Sequence, residues 1–378
     1  MKIGLITHHW VPNFGANLQC LGTTNYLKEL GHQVIVIDYR PKDLVEINKK
    51  NVTPEQLEAH EKFVTSYFEL TDTYGSGEEL SQGIGKYNFD LVLSGSDALF
   101  RLDESKSRED LNFPNPFWLD WTFNSDLSLK KRGFVSVSNM GSDFDGLKEN
   151  TKKGISSLLV KFDKVLVRDL WTNRALKKLD SRINAVETID PVFLLDGLAP
   201  SLNAQPVEKP YILLSPYKNL LKKKWIEKFV RKANAKGISV YSFPHPEGQV
   251  VDGSIVNGVV EQPLDPLEWY STIVNSVGYI GVRFHPIVVC LSNSIPFISI
   301  DTYQKSLTKP LMSKTFDICR KLGMQQFCFG KIGRRLLSPG KALQLLVNQK
   351  QSDLASTYQN ELSNEVAKLK TMISDYTA

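Results

Sequence analysis

The strongest constraint on this chain is a strand–helix–strand rhythm that begins at its first residues and later begins again. Residues 2–7 form a short apolar strand, and Gln33-Val34-Ile35-Val36-Ile37-Asp38 forms the next. Between them lie a loop, residues 8–15, and a helix expected to turn Leu18, Leu21, Tyr26 and Leu30 to one face before Gly31 ends it. Two buried strands joined through a helix lie parallel, with a right-handed crossover. Leu91-Val92-Leu93, Gly133-Phe134-Val135-Ser136-Val137 and Lys164-Val165-Leu166-Val167 continue the series, and the last leads into a helix over 169–179. A Pro-rich, polar stretch, 196–210, reads as a linker. The rhythm restarts at Tyr211-Ile212-Leu213-Leu214-Ser215, followed by a helix over 220–235, a strand over 238–243, a short helix over 267–275 and a strand over 278–282. This pattern predicts an α/β protein with two doubly wound, Rossmann-like domains facing across a cleft. A length of 378 residues exceeds what one core usually organises and agrees with two domains. Near the end, Leu354, Tyr358, Leu362, Val366, Leu369 and Ile373 recur at three- and four-residue steps and predict one amphipathic helix.

Composition removes several classes of function. At 42% hydrophobic and 23% charged residues the chain reads as an ordinary soluble globular protein. It has no apolar run long enough to span a bilayer, and its opening reads as a strand, not a signal peptide. The four cysteines, Cys20, Cys290, Cys319 and Cys328, lack metal-ligand spacing and read as reduced thiols, so a cytoplasmic location is expected. The net charge of +5 is modest and its basic residues look dispersed, so no nucleic-acid partner is expected. Lys222-Lys223-Lys224 beside Trp225 reads as a solvated helix face, with weak attraction to an anionic membrane surface as the alternative.

Open parallel sheets bind ligands beyond the carboxyl ends of their strands, so the residues that follow each strand are the first candidates. In THHWVPNFGANLQ (7–19), His8 and His9 end the first strand, and Asn13, Gly15 and Asn17 form a turn at a helix start, where free N–H groups favour an anion or a hydroxyl-rich ligand. A capped tight turn explains the same residues. In LVLSGSDALF (91–100), Gly95 permits close backbone approach, Ser96 follows it, and Asp97 is either a turn cap or a general base toward a substrate hydroxyl. In KVLVRDLWTNRALKKL (164–179), Asp169 reads as a helix cap, while Arg168 offers a planar fork suited to a carboxylate or phosphate. In GVRFHPIVVCLSNSIPFISI (281–300), Arg283 and His285 interrupt two apolar runs at a strand end and a helix start, with Pro286 in the first turn. Together they make a compact cationic site for an anionic ligand.

Other chemistries lack their signatures. No His, Cys or carboxylate spacing suggests a metal site, and adjacent His8 and His9 cannot readily share one ion. A nucleophile elbow and a Walker-type phosphate loop are both missing. The aromatic segment 101–123, with Pro114, Pro116, Phe117, Trp118 and Trp121, is either a lid or buried packing.

In order along residues 1–300, these stretches resemble the polysaccharide pyruvyl transferases. The opening through VIVIDYRP resembles that family's first strand, loop, helix and second strand. FDLVLSGSDALF resembles its Gly-Ser-Asp turn, and VLVRDLWTNRALKKL with IDPVFLL resembles the next segments. GVRFHPIVVCLSNSIPFISI resembles its late Arg-x-His element. The first loop departs from the Gly-Asn-x-Gly-Asp of one branch. The resemblance implies two facing Rossmann-like domains as in GT-B glycosyltransferases: 1–195 on the acceptor side, 211–340 on the donor side, and a helical segment, 341–378, packing back on the first. It implies transfer of the enolpyruvyl group of phosphoenolpyruvate to a sugar, forming a pyruvate ketal and releasing phosphate. It places the donor on Arg168, Arg283 and His285. His285 would act as general acid or hold the phosphate, and Asp97, His8 or His9 would act as base. Asn13, Gly15, Asn17, Gly95 and Ser96 would lie along the acceptor cleft. Neither cofactor nor metal is implied. A lipid-linked acceptor would be met at the inner membrane face. The alternatives are a GT-B glycosyltransferase with a nucleotide-sugar donor, sharing this fold, and a non-catalytic carbohydrate- or phosphate-binding protein.

Overall fold

The computed structural model describes residues 1–123, 127, 129–195, 210–217, 220–301, 313–349 and 354–378. The chain divides into two units: Met1–Leu195 with Glu365–Ala378, and Asp196–Asn364. Apart from Pro210, the linker expected over 196–210 lies outside the described residues.

The first unit holds strands β1 (Lys2–Ile6), β2 (Gln33–Ile37), β3 (Leu91–Asp97), β4 (Lys131–Val137), β5 (Val165–Val167) and β6 (Ala185–Glu187). They form one parallel sheet in the order β2-β1-β3-β4-β5-β6. From β1 the chain steps outward to β2 and then crosses to β3 on the opposite side of β1. Such a reversal opens a crevice between the carboxyl ends of β1 and β3, the usual ligand position in an open parallel sheet. That crevice is bounded by the residues after Ile6 and at Asp97.

The helix Phe14–Glu29 makes the first crossover; Asn13 caps it, and Gly31 leaves it at φ +82°. The expected one-sided face is replaced by a helix buried all round from Phe14 to Thr24, whereas Leu30 stands past its end and is exposed. Gly22 shows why: a Cβ there would sit 2.3 Å from the Pro191 carbonyl oxygen, so helix and turn touch backbone to backbone. The aromatic segment proves to be packing. Trp118 and Phe117 are buried, and Trp118 stacks on Phe100 with ring centroids 4.0 Å apart.

The second unit repeats the plan with β7 (Tyr211–Ser215), β8 (Ser239–Ser242), β9 (Gly258–Val259), β10 (Gly278–Gly281), β11 (Phe297–Ile300) and β12 (Cys328–Phe329), in the order β12-β11-β10-β7-β8-β9. Here the chain reverses between β7 and β10. The equivalent crevice is therefore bounded by the residues after Ser215 and after Gly281. Helices Lys223–Asn234 and Pro339–Gln349 cover one face, with Phe229, Ala233, Leu343 and Leu346 buried among the strand residues.

The segment expected as one piece over 341–378 is shared out. Helix Pro339–Gln349 belongs to the second unit, and the end of helix Leu354–Thr377 packs on the first. There Tyr376 donates to the Phe134 carbonyl oxygen at 3.1 Å, its ring lying where a Cβ on Gly133 would stand. Tyr26 donates to the Lys370 carbonyl oxygen at 3.1 Å, and Lys164 pairs with Asp375 at 2.5 Å. Among the described residues no helix is long and apolar enough to cross a membrane.

Candidate functional site

At the first crevice, β3 ends in an unusual backbone. Gly95 has φ +142°, and a Cβ there would lie 2.0 Å from the Val135 carbonyl oxygen, so only glycine fits. Asp97 itself takes φ +96°, a strained conformation for a residue with a side chain and one that clusters at functional sites. The geometry turns its carboxylate toward Arg168 at the end of β5, at 3.2 Å.

Arg168 is buried, and its other arm donates to Asp190 at 2.9 Å. Burial alone would lower its pKa, but Asp190, Asp97 and Asp169 outweigh this and raise it. Asp190 also accepts from Gln19 at 2.6 Å and from the Val192 backbone N–H at 3.0 Å. Gln19 reaches on to Ser96 at 3.3 Å, and Ser96 donates to the Ser136 carbonyl oxygen at 2.7 Å. The ends of four strands, β3 to β6, are thus tied by one buried polar network. Its guanidinium already serves two carboxylates and braces Asp97, so the donor-anion role expected of Arg168 would have to be filled beside them. Asp169 caps helix Leu170–Leu179 through the Thr172 N–H, as expected.

The two adjacent histidines have different tasks. His9 is fully buried; Nε2 meets Asp38 at 2.9 Å and Nδ1 meets the Thr7 carbonyl oxygen at 3.1 Å. Burial would raise the Asp38 pKa, but hydrogen bonds from His9, Arg40 and Thr73 overcome it and hold the carboxylate at about 2. His9 therefore ties the end of β1 to β2 instead of facing the crevice. Asn17 is likewise committed, donating to the His9 carbonyl oxygen at 2.6 Å and accepting from His60 at 2.8 Å. Asn13 caps its helix by accepting from the Gly15 N–H at 3.2 Å, so both serve the turn.

His8 is differently placed. It is half-buried against the edge of Phe117, with ring centroids 4.7 Å apart, and its Nδ1 makes no hydrogen bond to a described residue. Burial lowers its pKa, opposed by the charges of Asp97 and Asp110. At neutral pH it is a neutral imidazole beside carboxylates, a competent proton acceptor.

At the second crevice, Arg283 is the N-cap residue of helix Phe284–Ser292, two residues past the end of β10, and His285 lies buried in its first turn. Gly281 is required just before: a Cβ would meet the Tyr279 hydroxyl at 2.0 Å. Arg283 donates to both Glu247 oxygens at 3.1 Å, approaches His245 Nδ1 at 3.5 Å, and lies 5.5 Å from the Tyr217 ring centroid. The pair is only partly shielded, with side-chain exposures of 37% for Arg283 and 51% for Glu247. Burial, reinforced by the Arg283 charge, pushes His245 down to about 4, so it is neutral and can accept from the guanidinium.

Tyr217, His245 and Glu247 were not anticipated. Each follows a strand, β7 or β8, and FPHPEGQ (243–249) places a histidine and a carboxylate at a strand end, the same signal used elsewhere. Asp190 and Gln19 were missed because their partners are remote in sequence, 171 positions apart.

The fold and these sites define a class first: two Rossmann-like units of the GT-B type found in glycosyltransferases and related epimerases. Spinosyn forosaminyltransferase SpnP is similar at a TM-score of 0.54 and 11% identity, over 99% of each chain. A protein described as a UDP-N-acetylglucosamine 2-epimerase, from Listeria monocytogenes, is similar at 0.52 and 9% identity, over 96% of this chain and 90% of that one. No curated protein sequence matches the chain. The pattern of the polysaccharide pyruvyl transferase family matches residues 13–303, most of the chain, and the protein belongs to that family. It is thus a transferase whose family works on sugar acceptors.

Proposed function

We propose that this protein moves the enolpyruvyl group of phosphoenolpyruvate onto a sugar of a polysaccharide precursor, closing a pyruvate ketal and releasing phosphate. The observation that carries this reading is the pairing of Arg283 and His285 at the carboxyl end of β10, at a helix start and beside the reversal of the second sheet. A planar guanidinium together with helix N–H groups suits a small ligand bearing a carboxylate and a phosphate.

In the reaction a sugar hydroxyl oxygen attacks C2 of phosphoenolpyruvate while a proton is added to the C3 methylene. The C2–O bond to phosphate then breaks, and a second hydroxyl closes the ring at C2. Of the two hydroxyl protons displaced, one balances the new methyl group and the other leaves with phosphate. His285 is the proposed acid, and His8, with Asp97 close by, the proposed base toward the hydroxyl. Most of the rate would come from positioning and charge stabilisation. The scheme draws on no metal ion, so turnover is expected to survive EDTA. The acceptor is proposed to be a lipid-linked oligosaccharide met at the cytoplasmic face of a membrane.

The test is acceptor-dependent phosphate release from phosphoenolpyruvate, run beside UDP-sugars. Arg283→Ala is expected to lower donor affinity or rate about 30-fold or more, since it strips a charge-assisted partner from the bound anion. Arg283→Lys is expected to stay impaired, because a point charge does not reproduce the fork. UDP release from a nucleotide sugar, with none of this chemistry on phosphoenolpyruvate, would overturn the reading.

A further inference from the structure

Basic residues that look dispersed along the whole sequence gather in one stretch. KKKWIEKFVRKANAK (222–236) carries seven lysines and arginines against one acid, Glu227, a net of +6 where the whole chain has +5. It contains the helix Lys223–Asn234, which covers one face of the second sheet. Ile226, Phe229, Val230 and Ala233 of this helix are buried, and every lysine and arginine of the stretch is exposed.

The outer side is arranged at a cost to the helix. Lys224, Lys228 and Lys232 succeed one another at four-residue steps with Arg231 beside them, so like charges are neighbours along one ridge. The helix start is cationic too: Lys222 is the N-cap residue and makes no side-chain cap, and no acid stands in the first turn. Lysines there oppose the positive end of the helix dipole. Lys232 lies against Gly340 in the first turn of helix Pro339–Gln349, which adds Lys341 and no acid.

Partners inside the unit do not offset this. Lys223 has one, since Asp252 is held below the usual carboxylate range by Ser254 and, more weakly, by Lys223. The side chains of Lys224, Lys228, Arg231, Lys232 and Lys341 make no hydrogen bond or ion pair to a described residue, Glu227 included. Surface lysines of the first unit behave differently: Lys42, Lys49, Lys86, Lys152 and Lys178 each meet a carboxylate. A row of cations that destabilises its own helix and is left unanswered from within calls for an anionic partner outside.

We infer that helix Lys223–Asn234 docks this protein on an anionic lipid surface, where Lys224, Lys228, Arg231 and Lys232, with Lys341 of the neighbouring helix, meet the acidic headgroups. Several lysines and arginines on one face of an amphipathic helix match the diffuse negative charge of such a surface. Lysine, a point charge, dominates the row, whereas a specific phosphate site favours the arginine fork. A single-stranded nucleic acid would call for aromatic platforms on which bases stack. Trp225, the aromatic residue nearest the row, is instead spent on packing: it stacks on Phe229 with ring centroids 5.3 Å apart and donates to the Leu337 carbonyl oxygen at 2.7 Å. The inference deepens the proposed function, resting on it only for the acceptor's place at a membrane. It is tested by binding alone, so each can fail without the other.

The experiment is co-sedimentation of the full chain with vesicles of phosphatidylglycerol and phosphatidylcholine in equal parts, against phosphatidylcholine alone and against single-stranded DNA. Capture by the anionic vesicles is expected, falling steeply as salt rises. Lys228→Gln with Lys232→Gln is expected to weaken it about ten-fold or more. Lys49→Gln with Lys178→Gln removes the same net charge from the first unit and should leave binding within about two-fold of the parent. Phosphate release with a water-soluble acceptor should match the parent in both variants. Thermal unfolding of the Lys228 and Lys232 variant should stay level or rise, because like charges at helical spacing are removed. No capture by anionic vesicles would overturn the inference, as would equal losses in the two double variants, which would mark a response to net charge alone. Capture by DNA and none by vesicles would overturn it too and assign the row to nucleic acid.

Discussion

Glu247→Gln separates an anion site from a structural ion pair. Glu247 places both carboxylate oxygens 3.1 Å from the Arg283 guanidinium, in the position a donor carboxylate or phosphate would take. Because side-chain exposures are 37% and 51%, water and salt screen the pair, and its contribution is about 0.5–1 kcal/mol. A ligand anion must displace that internal carboxylate, so its removal should tighten donor binding by about two- to five-fold. Gln keeps the shape and can still accept one hydrogen bond, so thermal stability should move by less than about 0.5 kcal/mol. Calorimetric titration with phosphoenolpyruvate, and with inorganic phosphate as a simpler probe, measures the effect directly. Tighter binding with unchanged stability is the expected result. Unchanged or weaker binding of both anions would show that Glu247 holds Arg283 in its working pose, and the competition argument would be refuted.

Three further outcomes follow from the first unit. His8→Asn should lower kcat about 100-fold or more with little change in donor affinity, as loss of a proton acceptor does. Since burial lowers the His8 pKa and the base must be neutral, the acid limb of the parent's pH–rate profile should lie below the ordinary 6.5 and vanish in the variant. Asp38, held at about 2 against an ordinary 3.8, contributes stability that is complete above the higher value and lost as pH falls through the lower. That difference amounts to about 2 kcal/mol, so the stability gap between parent and Asp38→Asn should narrow by about this much between pH ~4 and pH ~2 in urea titrations. Gly95→Ala should cost about 3 kcal/mol or more, because its Cβ would press on the Val135 carbonyl at a left-handed φ; an unshifted melting temperature would contradict the geometry.

Much of the architecture could be read from local pattern because its causes are local. A run such as 211–214 (Tyr-Ile-Leu-Leu) is apolar throughout because an interior parallel strand is covered on both faces. Caps such as Asn13 and Asp169 announce themselves by residue type. The strands β9 and β12, two residues each, are too short to carry any period and are fixed by their neighbours. The same divide runs through the candidate sites. That Arg283 ends a strand and opens a helix is legible in eight residues. That Arg168 faces inward onto Asp97 and Asp190 is not, because the partners meet only once β3, β5 and the turn after β6 are assembled. His9 and Asn17 were equally opaque: histidine and asparagine after a strand read alike whether they face a ligand or, as here, Asp38 and His60.

The two crevices also differ in charge, and this bears on how the labour is divided. Around the end of β3, Asp97, Asp110, Asp169 and Asp190 stand against Arg168 and Arg108, and Arg108 is spent on Asp110 through two hydrogen bonds of 3.0 and 2.6 Å. A phosphoenolpyruvate anion brought to that end would meet an excess of carboxylates, whereas a neutral sugar hydroxyl would meet groups able to accept its proton. Around the end of β10 the balance reverses: one carboxylate, half exposed, faces a guanidinium at a helix start beside a neutral histidine. An anion costs little there, since Glu247 can turn to water as the ligand arrives. The proposed chemistry therefore assigns donor recognition to Arg283 and His285 and proton acceptance to His8 and Asp97. Arg168 holds Asp97 at 3.2 Å and keeps it aimed, which makes it a positioning residue in this scheme. Arg168→Lys tests this assignment: kcat should fall while phosphoenolpyruvate affinity stays within about two-fold, because a single ammonium cannot hold Asp97 and Asp190 together. A selective loss of donor affinity would return Arg168 to the anion site.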